Sequence, residues 1–244
     1  MTRNLDTLLD EALSRYEARG GQTPHPRAVL FDMDGVLYDS MPHHARAWKQ
    51  MCDENGIKAE LNEFFPYEGR TGASTINVLF NRQFGRNATD DEIRRLYRRK
   101  TEFFSAMPPV SVMKGAGYAI DTCLENGLDC VLVTGSGQGT LLGRLDLDYP
   151  GAFPAQRRVT GNDVTHGKPA PEPFLKGLDK AHTDRFHALA VDNAPLGVQS
   201  ASAAGIFTIG VRTGPIPEGS LLDAGADIEL HSMAECAEII RKLL

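Results

Sequence analysis

Four short apolar runs of the sequence each end in polar or small residues, and segments with helical periodicity lie between them. The runs cover 28–31, 129–133, 187–191 and 206–211, and the helical patterns cover 115–126, 138–147, 171–180 and 195–204. Buried runs that alternate with helices of this length are typical of βαβ units, whose strands are parallel and whose helices cover both faces of the sheet. The predicted fold class is therefore α/β, with a Rossmann-like parallel sheet as its core.

The segment 41–107 interrupts this alternation. It has helical patterns at 42–55, 72–84 and 90–105 and no convincing buried strand, and its 11 basic and 9 acidic residues contrast with 15 and 23 in the rest of the chain. A mildly basic helical insert above an acidic core suits a lid over an anionic substrate, although the runs Arg94-Arg95 and Arg98-Arg99-Lys100 are interpreted as solvated helix faces. We expect an N-terminal extension (1–26), a core (27–40 and 108–244) and a small helical cap domain (41–107).

The remaining composition narrows the class of protein. A net charge of −6 argues against general binding of nucleic acid, and the charged first 20 residues and the lack of an 18-residue apolar stretch predict neither a signal peptide nor a membrane span. Four scattered cysteines predict reduced thiols of the core in a cytoplasmic protein. The spacing in 4–19 predicts an amphipathic helix that covers the core or forms a dimer contact, so both monomer and homodimer stay open.

Polar side chains follow three of the four apolar runs. Asp32 and Asp34 follow the first, Thr134 the second, and Asp192 and Asn193 the third. Because ligands of open parallel sheets bind beyond the carboxyl ends of the strands, these side chains are expected to converge on one site. Two aspartates one residue apart need hydrogen bonds or a cation, so we interpret this set as a Mg²⁺ site, the alternative being an Asx-rich turn.

A lysine and a hydroxyl group complete the expected site. Lys168 lies between glycine and prolines in a loop that favours rigidity, and it is predicted to orient the nucleophile and offset the charge of a phosphoryl group. Thr134, with the backbone N–H groups of Gly135 and Ser136, is predicted to donate to nontransferring phosphate oxygens. The alternatives are a surface lysine near a helix start and an ordinary turn.

The order of these motifs resembles that of the haloacid dehalogenase superfamily. The stretch 31–36, Thr134, the stretch 167–169 and the stretch 191–198 follow one another as its four motifs do, and the resemblance covers about residues 27–240. The insert after the first motif looks like a C1-type cap. Within the superfamily the chain resembles the β-phosphoglucomutase-like phosphatases, and among those an inorganic pyrophosphatase.

This resemblance implies a role for each motif. Asp32 would be the nucleophile that forms an aspartyl phosphate, and Asp34 the acid/base that protonates the leaving group and then activates water. Thr134 and Lys168 would bind the transferring phosphoryl group. The implied Mg²⁺ ligands are Asp32, the Asp34 backbone carbonyl, Asp192 and Asn193. A second acid is usual at the position of Asn193, so this neutral ligand is expected to lower the metal affinity.

The cap is expected to select the substrate, because the core chemistry is common to phosphatases, mutases and dehalogenases. Its loop 67–72 is predicted to face the core, where Arg70 would bind a phosphate oxygen. Glu68 stands roughly where the similar mutases have a lysine and is predicted to reach the metal or its waters; pairing with Arg70 or capping the helix near Gly72 is the alternative. His44 matches the mutases' cap histidine, with a helix-surface histidine as the alternative.

Together these features predict a Mg²⁺-dependent phosphohydrolase that acts on inorganic pyrophosphate or a small phosphate monoester. A β-phosphoglucomutase-like sugar-phosphate mutase or phosphatase stays open, as does a non-catalytic phosphate-binding regulatory module. The presence of both Asp32 and Asp34 argues against the regulatory module. It also argues against a dehalogenase, since that chemistry lacks the acid at the position of Asp34.

Overall fold

A computed structural model describes residues 4–136 and 139–244. Within these residues, six parallel strands form one sheet in the order β3-β2-β1-β4-β5-β6. The strands are β1 (Ala28–Phe31), β2 (Asp129–Val133), β3 (Arg158–Val159), β4 (Ala188–Asp192), β5 (Phe207–Val211) and β6 (Ile228–Leu230). The strand order reverses between β1 and β4, so the fold places a crevice at the carboxyl ends of these two strands.

Helices cover both faces of the sheet, and the helices are α1 (Leu5–Ala18), α2 (Met41–Glu54), α3 (Gly72–Phe84), α4 (Asp90–Ser105), α5 (Ala116–Glu125), α6 (Gly139–Leu142), α7 (Leu145–Asp148), α8 (Glu172–Lys180), α9 (Pro195–Ala203), α10 (Ser220–Asp223) and α11 (Met233–Lys242). Successive side chains of a strand point to opposite faces. In β1, Val29 and Phe31 pack in one apolar cluster with α1, α5 and α11, whereas Ala28 and Leu30 pack in another with α8 and α9. The predicted α/β class is confirmed.

The insert between β1 and α5 forms a separate helical layer. Helices α2, α3 and α4 pack around an apolar cluster of their own that includes Trp48 and Leu96. The two linkers to the core run side by side, since Tyr38 bridges Val112 and the Asp39 N–H donates to the Ser111 carbonyl at 3.0 Å. We propose the division into a core of 27–40 and 108–244 and a cap of 41–107 on this basis.

Several elements differ from the sequence prediction. The helix expected over 138–147 is replaced by the short helices α6 and α7, and part of that segment lies outside the described residues. Strand β3 was missed because it has only two residues. Strand β6 was missed because a charged residue, Glu229, interrupts its apolar pattern; this buried carboxylate accepts the Gly219 and Leu221 N–H groups. The C-terminal helix α11 was also missed.

The N-terminal helix α1 covers the core, which was one of the two predicted alternatives. Its residues Leu9, Ala12 and Tyr16 are buried in the larger apolar cluster of the core. Just after the helix, Arg19 donates from Nε and Nη2 to the two carboxylate oxygens of Asp227, at 2.9 and 2.5 Å, and the Asp227 side chain is 2% exposed. A bidentate, largely buried ion pair therefore fixes the extension to the edge of the sheet.

Two further sequence expectations concern the environment of the protein. No helix in the part of the chain that the structure describes is both long and apolar enough to cross a membrane. The four cysteines are buried free thiols.

We predict that Arg19→Ala lowers the free energy of unfolding by about 3 kcal/mol, because it leaves the Asp227 carboxylate buried without its cation. Urea unfolding followed by circular dichroism measures this change. Lys242→Ala is the control. Lys242 pairs with Asp6, an exposed residue in the first turn of α1, and the loss of this ion pair should cost less than about 1 kcal/mol. Equal losses in the two variants would contradict the role given to Arg19.

Candidate active site

Two aspartates meet at the point where the strand order reverses. Asp32 follows β1 and Asp192 ends β4, and the Asp32 N–H donates to the Val191 carbonyl at 2.9 Å. Lys168 lies between them, with Nζ at 2.7 Å from Asp32 Oδ1 and 2.7 Å from Asp192 Oδ2, and its side chain is fully buried. The structure thus brings these predicted residues together, and Lys168 is not a surface lysine.

The charges of this group shift one another's pKa. Burial alone would lower the pKa of Lys168, but the carboxylates of Asp192 and Asp32 outweigh it and raise that pKa above its usual value. Burial raises the pKa of Asp32 to about 7 against the pull of Lys168, and Asp192 and Asp34 add to the rise. One lysine therefore does not balance the negative charge of these carboxylates.

Asp34 belongs to a hydrogen-bond chain that reaches into the cap. Its Oδ1 accepts from the Ser40 hydroxyl at 2.5 Å and contacts His44 Nε2 at 2.9 Å, and His44 Nδ1 lies 2.6 Å from Lys100 Nζ. A protonated Lys100 donates to Nδ1, which leaves the imidazole proton on Nε2 to donate to Asp34. Burial would raise the pKa of Asp34, yet His44, Ser40 and Lys100 together lower it. His44 is buried, so the surface-histidine alternative is wrong.

The buried position of Lys100 corrects the prediction of a solvated face. Its side chain is only 2% exposed, and Nζ lies 5.3 Å from the ring centroid of Trp48 and 5.2 Å from that of Phe104. Leu96 and Phe104, four residues before and after it on α4, are buried as well. Helical spacing thus places Lys100 on the apolar stripe, and this spacing, rather than the run of charges, is the signal in the sequence for its burial.

Glu68 of the cap reaches the core loop that follows β4. Its Oε1 accepts from Asn193 Nδ2 at 2.9 Å, and burial together with Asp32 and Asp192 raises its pKa well above the usual range. Both alternatives for Glu68 are wrong, because Thr71 caps α3 through the Ser74 N–H, and Arg70 donates to the Ser74 hydroxyl at 3.0 Å.

A glycine makes the contact of Glu68 with the core possible. Gly35 has φ +80°, and a Cβ at this position would lie 2.0 Å from Asn193 Nδ2 and 2.8 Å from Glu68 Oε1. An L side chain would therefore be strained and would also push these two residues apart. Gly35 is required both by its backbone and by its neighbours.

The donor atoms at the strand ends fit a hard divalent cation. Asn193 Oδ1 is buried without a hydrogen-bond partner, while both oxygens of Asp192 are engaged, by Lys168 and by the Ala194 N–H. Among the described residues, no three His, Cys, Asp or Glu side chains form a ready-made metal cluster. Mg²⁺ needs only a few protein oxygens and keeps its waters, so Asn193 Oδ1 and Asp32 suit it. The surplus of buried carboxylates favours a cation on electrostatic grounds as well.

The loop after β2 differs in one detail from its prediction. Thr134 is buried at the site, and its Oγ1 accepts the Ser136 N–H at 3.0 Å. That amide, predicted as a donor to phosphate, thus donates within the turn. Gly135 and Ser136 nevertheless line the cavity, as Thr134 does.

Core and cap together line a small, partly open cavity of about 50 Å³. A water molecule needs roughly 10–15 Å³ by the same measure, so the space suits a compact ligand. The cavity is lined by Asp32, Asp34, Met41, His44, Trp48, Phe64, Tyr67, Glu68, Gly69, Arg70, Gly72, Thr75, Tyr97, Lys100, Thr134, Gly135 and Ser136. Sequence reasoning found the polar residues of the core but missed Lys100 and the aromatic wall of the cap.

Comparison with known proteins places these features in a family. The profile described as haloacid dehalogenase-like hydrolase matches residues 29–211. Hexitol phosphatase A of Escherichia coli (strain K12) is 27% identical over 217 residues, which cover 86% of this chain and 92% of that protein. The phosphorylated carbohydrates phosphatase of Thermotoga maritima is 26% identical over 219 residues, 89% of this chain and 99% of that one.

A solved structure agrees with these matches. A Bacteroides vulgatus protein provisionally named a beta-phosphoglucomutase superposes with a TM-score of 0.92 at 44% identity, and the match covers 97% of both chains. This similarity extends over core and cap alike.

Lys100 makes the stability of the fold depend on pH. Burial lowers the pKa of Lys100 to about 7, so below that pH the folded chain carries the full penalty for a buried charge. Between about pH 7 and 10 the unfolded chain keeps a proton that the folded chain has lost, and the penalty shrinks as the pH rises. We predict that Lys100→Met gains stability relative to wild type at about pH 6 and loses that gain, by up to roughly 1.4 kcal/mol per pH unit, toward about pH 9.5.

Urea unfolding at several pH values between these limits measures the difference. Lys114→Met is the control, because it makes the same exchange of lysine for methionine at an exposed position. A constant difference between Lys100→Met and wild type would mean that Lys100 does not lose its proton in the folded chain.

Proposed function

Because this chain belongs to the family of haloacid dehalogenase-like hydrolases, we propose that it is a phosphatase that acts through Asp32 and Asp34 on a compact phosphorylated substrate. One observation carries the proposal. The two carboxyl groups line one cavity and have different partners: Lys168 Nζ contacts Asp32 Oδ1 at 2.7 Å, whereas Asp34 Oδ1 accepts from the Ser40 hydroxyl and contacts His44 Nε2. A carboxylate beside a cation suits the nucleophile, and a carboxyl group that is hydrogen-bonded to a hydroxyl and an imidazole suits the acid/base.

In the first step, a carboxylate oxygen of Asp32 attacks phosphorus and the bond from phosphorus to the leaving oxygen breaks. Asp34 must carry a proton for this step, although His44 and Ser40 lower its pKa, and it gives that proton to the leaving oxygen. Lys168 holds the Asp32 carboxylate at 2.7 Å and keeps a positive charge beside the phosphoryl group. The products of this step are an acyl phosphate of Asp32 and the released alcohol or phosphate.

In the second step, Asp34 takes a proton from water and the water oxygen attacks phosphorus. The bond from phosphorus to Asp32 breaks, which restores the Asp32 carboxylate and releases phosphate. His44 and Ser40 hold Asp34 Oδ1 throughout, and Lys100 fixes the tautomer of His44. Mg²⁺ bound by Asp32, Asp192, Asn193 and the Asp34 carbonyl would supply positive charge against the phosphoryl oxygens.

The cavity and Glu68 support inorganic pyrophosphate as the first candidate substrate. The cavity is small, and Glu68 brings an acid rather than a cation to the place where a second phosphate group of a sugar bisphosphate would need one. A buried carboxyl group beside Asn193 suits a metal-complexed diphosphate, because a cation at the site would offset the burial that raises its pKa. Sugar phosphates are the second candidate, favoured by the names of the relatives, two of which are phosphatases of hexitols or phosphorylated carbohydrates.

We predict that Asp32→Asn abolishes phosphate release, because an amide does not attack phosphorus. Asp34→Asn should keep substrate binding and slow turnover by about 10²- to 10⁴-fold, the usual contribution of general acid–base catalysis. Phosphate release with Mg²⁺ from pyrophosphate and from a panel of sugar phosphates measures both. Asp39→Asn makes the same change at an exposed position of the same loop and should leave the rates unchanged. Full activity of Asp32→Asn would refute the covalent mechanism.

We predict that Glu68→Gln lowers kcat/KM for pyrophosphate at least about tenfold more than kcat/KM for an aryl phosphate. A hydrogen bond or contact to a charged group contributes about 1.5–3 kcal/mol, and each 1.4 kcal/mol is tenfold. Glu125→Gln, at an exposed position of the core, controls for the substitution itself. Equal losses on both substrates, or none, would reject this role and leave sugar phosphates as the leading substrate class.

A further inference from the structure

The cap loop that carries Glu68 and Arg70 rests on glycines of the core. A Cβ added to Gly135, which follows Thr134, would lie 2.6 Å from the Gly69 carbonyl oxygen, and one added to Gly167, which precedes Lys168, would lie 2.7 Å from Thr71 Cγ2. Neither glycine has a positive φ. Glycine is therefore not required at these two positions by the backbone conformation. It is required because the cap loop occupies the space that a side chain would take.

The side chain of Thr71 is fixed from two sides. Its hydroxyl accepts the Ser74 N–H at 3.2 Å and so caps α3, while its methyl group faces Gly167. Hydroxyl and methyl share one χ1 torsion, so the methyl cannot turn away from Gly167 without breaking the cap of the helix. Gly161, on the same loop between β3 and α8 as Gly167, lies on another side of this methyl group, because a Cβ there would be 3.8 Å from Thr71 Cγ2.

The docked loop delivers its residues to the site. Two residues before Thr71, Gly69 is close to Lys168, since a Cβ at Gly69 would lie 3.4 Å from Lys168 Cδ. One residue earlier, Glu68 contacts Asn193 at 2.9 Å. The contact of the Thr71 methyl group with Gly167 thus fixes the distance from this loop to Lys168 and Asn193, which the proposed mechanism uses.

We propose that Thr71 is a positioning residue: its methyl group, seated on Gly167, latches the cap in the closed arrangement that aligns Glu68 with the core. The catalytic consequence rests on the proposed function, whereas the latch itself does not. Removing the methyl group of Thr71 should weaken closure of the cap, and adding a methyl group at Gly167 should oppose closure.

The test uses three variants of the full-length protein. Thr71→Ser keeps the capping hydroxyl and removes the methyl, and kcat/KM should fall about three- to fivefold, as expected for one buried methyl group. Gly167→Ala should lower it more, by at least about tenfold. In the double variant Thr71→Ser/Gly167→Ala the lost methyl makes room for the added one, so kcat/KM should exceed that of Gly167→Ala alone.

A second readout does not depend on catalysis. Trp48 is the one tryptophan of the sequence, lies in the cap, lines the cavity and is 8% exposed. Acrylamide should therefore quench its fluorescence more strongly when the cap opens. We expect increased quenching in Gly167→Ala, a smaller increase in Thr71→Ser, and a return toward wild type in the double variant. Thr89→Ser, which removes the methyl of the residue that caps α4, should change neither readout.

The outcomes separate the latch from the proposed function. Wild-type protein that hydrolyses none of the phosphate substrates would refute the function, and Trp48 quenching would still judge the latch. If Trp48 is quenched as strongly in the double variant as in Gly167→Ala, the latch is overturned, because the defect of Gly167→Ala would then lie within the core loop. If Gly167→Ala does not fold, Thr71→Ser alone decides the question. Quenching of Trp48 in Thr71→Ser that equals the quenching in wild type and in Thr89→Ser would overturn the latch.

Discussion

The buried ammonium of Lys168 between Asp32 and Asp192 is the interaction on which the rest of the site depends. The pairing of β1 with β4 brings the two carboxylates to adjacent strand ends, and without a cation between them like charges would be buried side by side. Removing one partner of such a group is costly, since the remaining charges stay out of water. The sheet, the loop of Lys168 and the chemistry are therefore coupled through one ion-pair network.

The cap completes the site through contacts that the core cannot make alone. From α2, His44 reaches Asp34, and from the loop before α3, Glu68 reaches Asn193. Asp34 and Asn193 are thus each oriented by a partner from the cap. The geometry of the site is therefore complete only when the cap is closed on the core. Closure also removes water from carboxylates whose pKa values already reflect burial, and this strengthens every electrostatic interaction within the cavity.

Much of the core was predictable because its signals are local. An apolar run followed by polar residues identifies Asp32, Thr134 and Asp192 at strand ends, and the carboxyl ends of parallel strands must share an edge. The partners of Glu68 and the burial of Lys100 were not predictable in the same way, because they depend on how the cap packs on the core. Residues that are separated by more than a hundred positions, such as Glu68 and Asn193, leave no mark of their contact in one sequence.

Two buried lysines of the site illustrate how surroundings, rather than residue type, set chemistry. Lys168 contacts two carboxylates, and its pKa is raised, so it stays a cation at any physiological pH. Lys100 contacts the imidazole of His44 among aromatic rings, and burial lowers its pKa to about 7. The core therefore holds a permanent charge beside the phosphoryl position, while the cap holds one that can be lost. A cation that stabilises a charged transition state must not lose its proton, whereas a lysine that fixes the tautomer of an acid/base network only has to donate one hydrogen bond. The division between core and cap is thus also a division between fixed and variable charge.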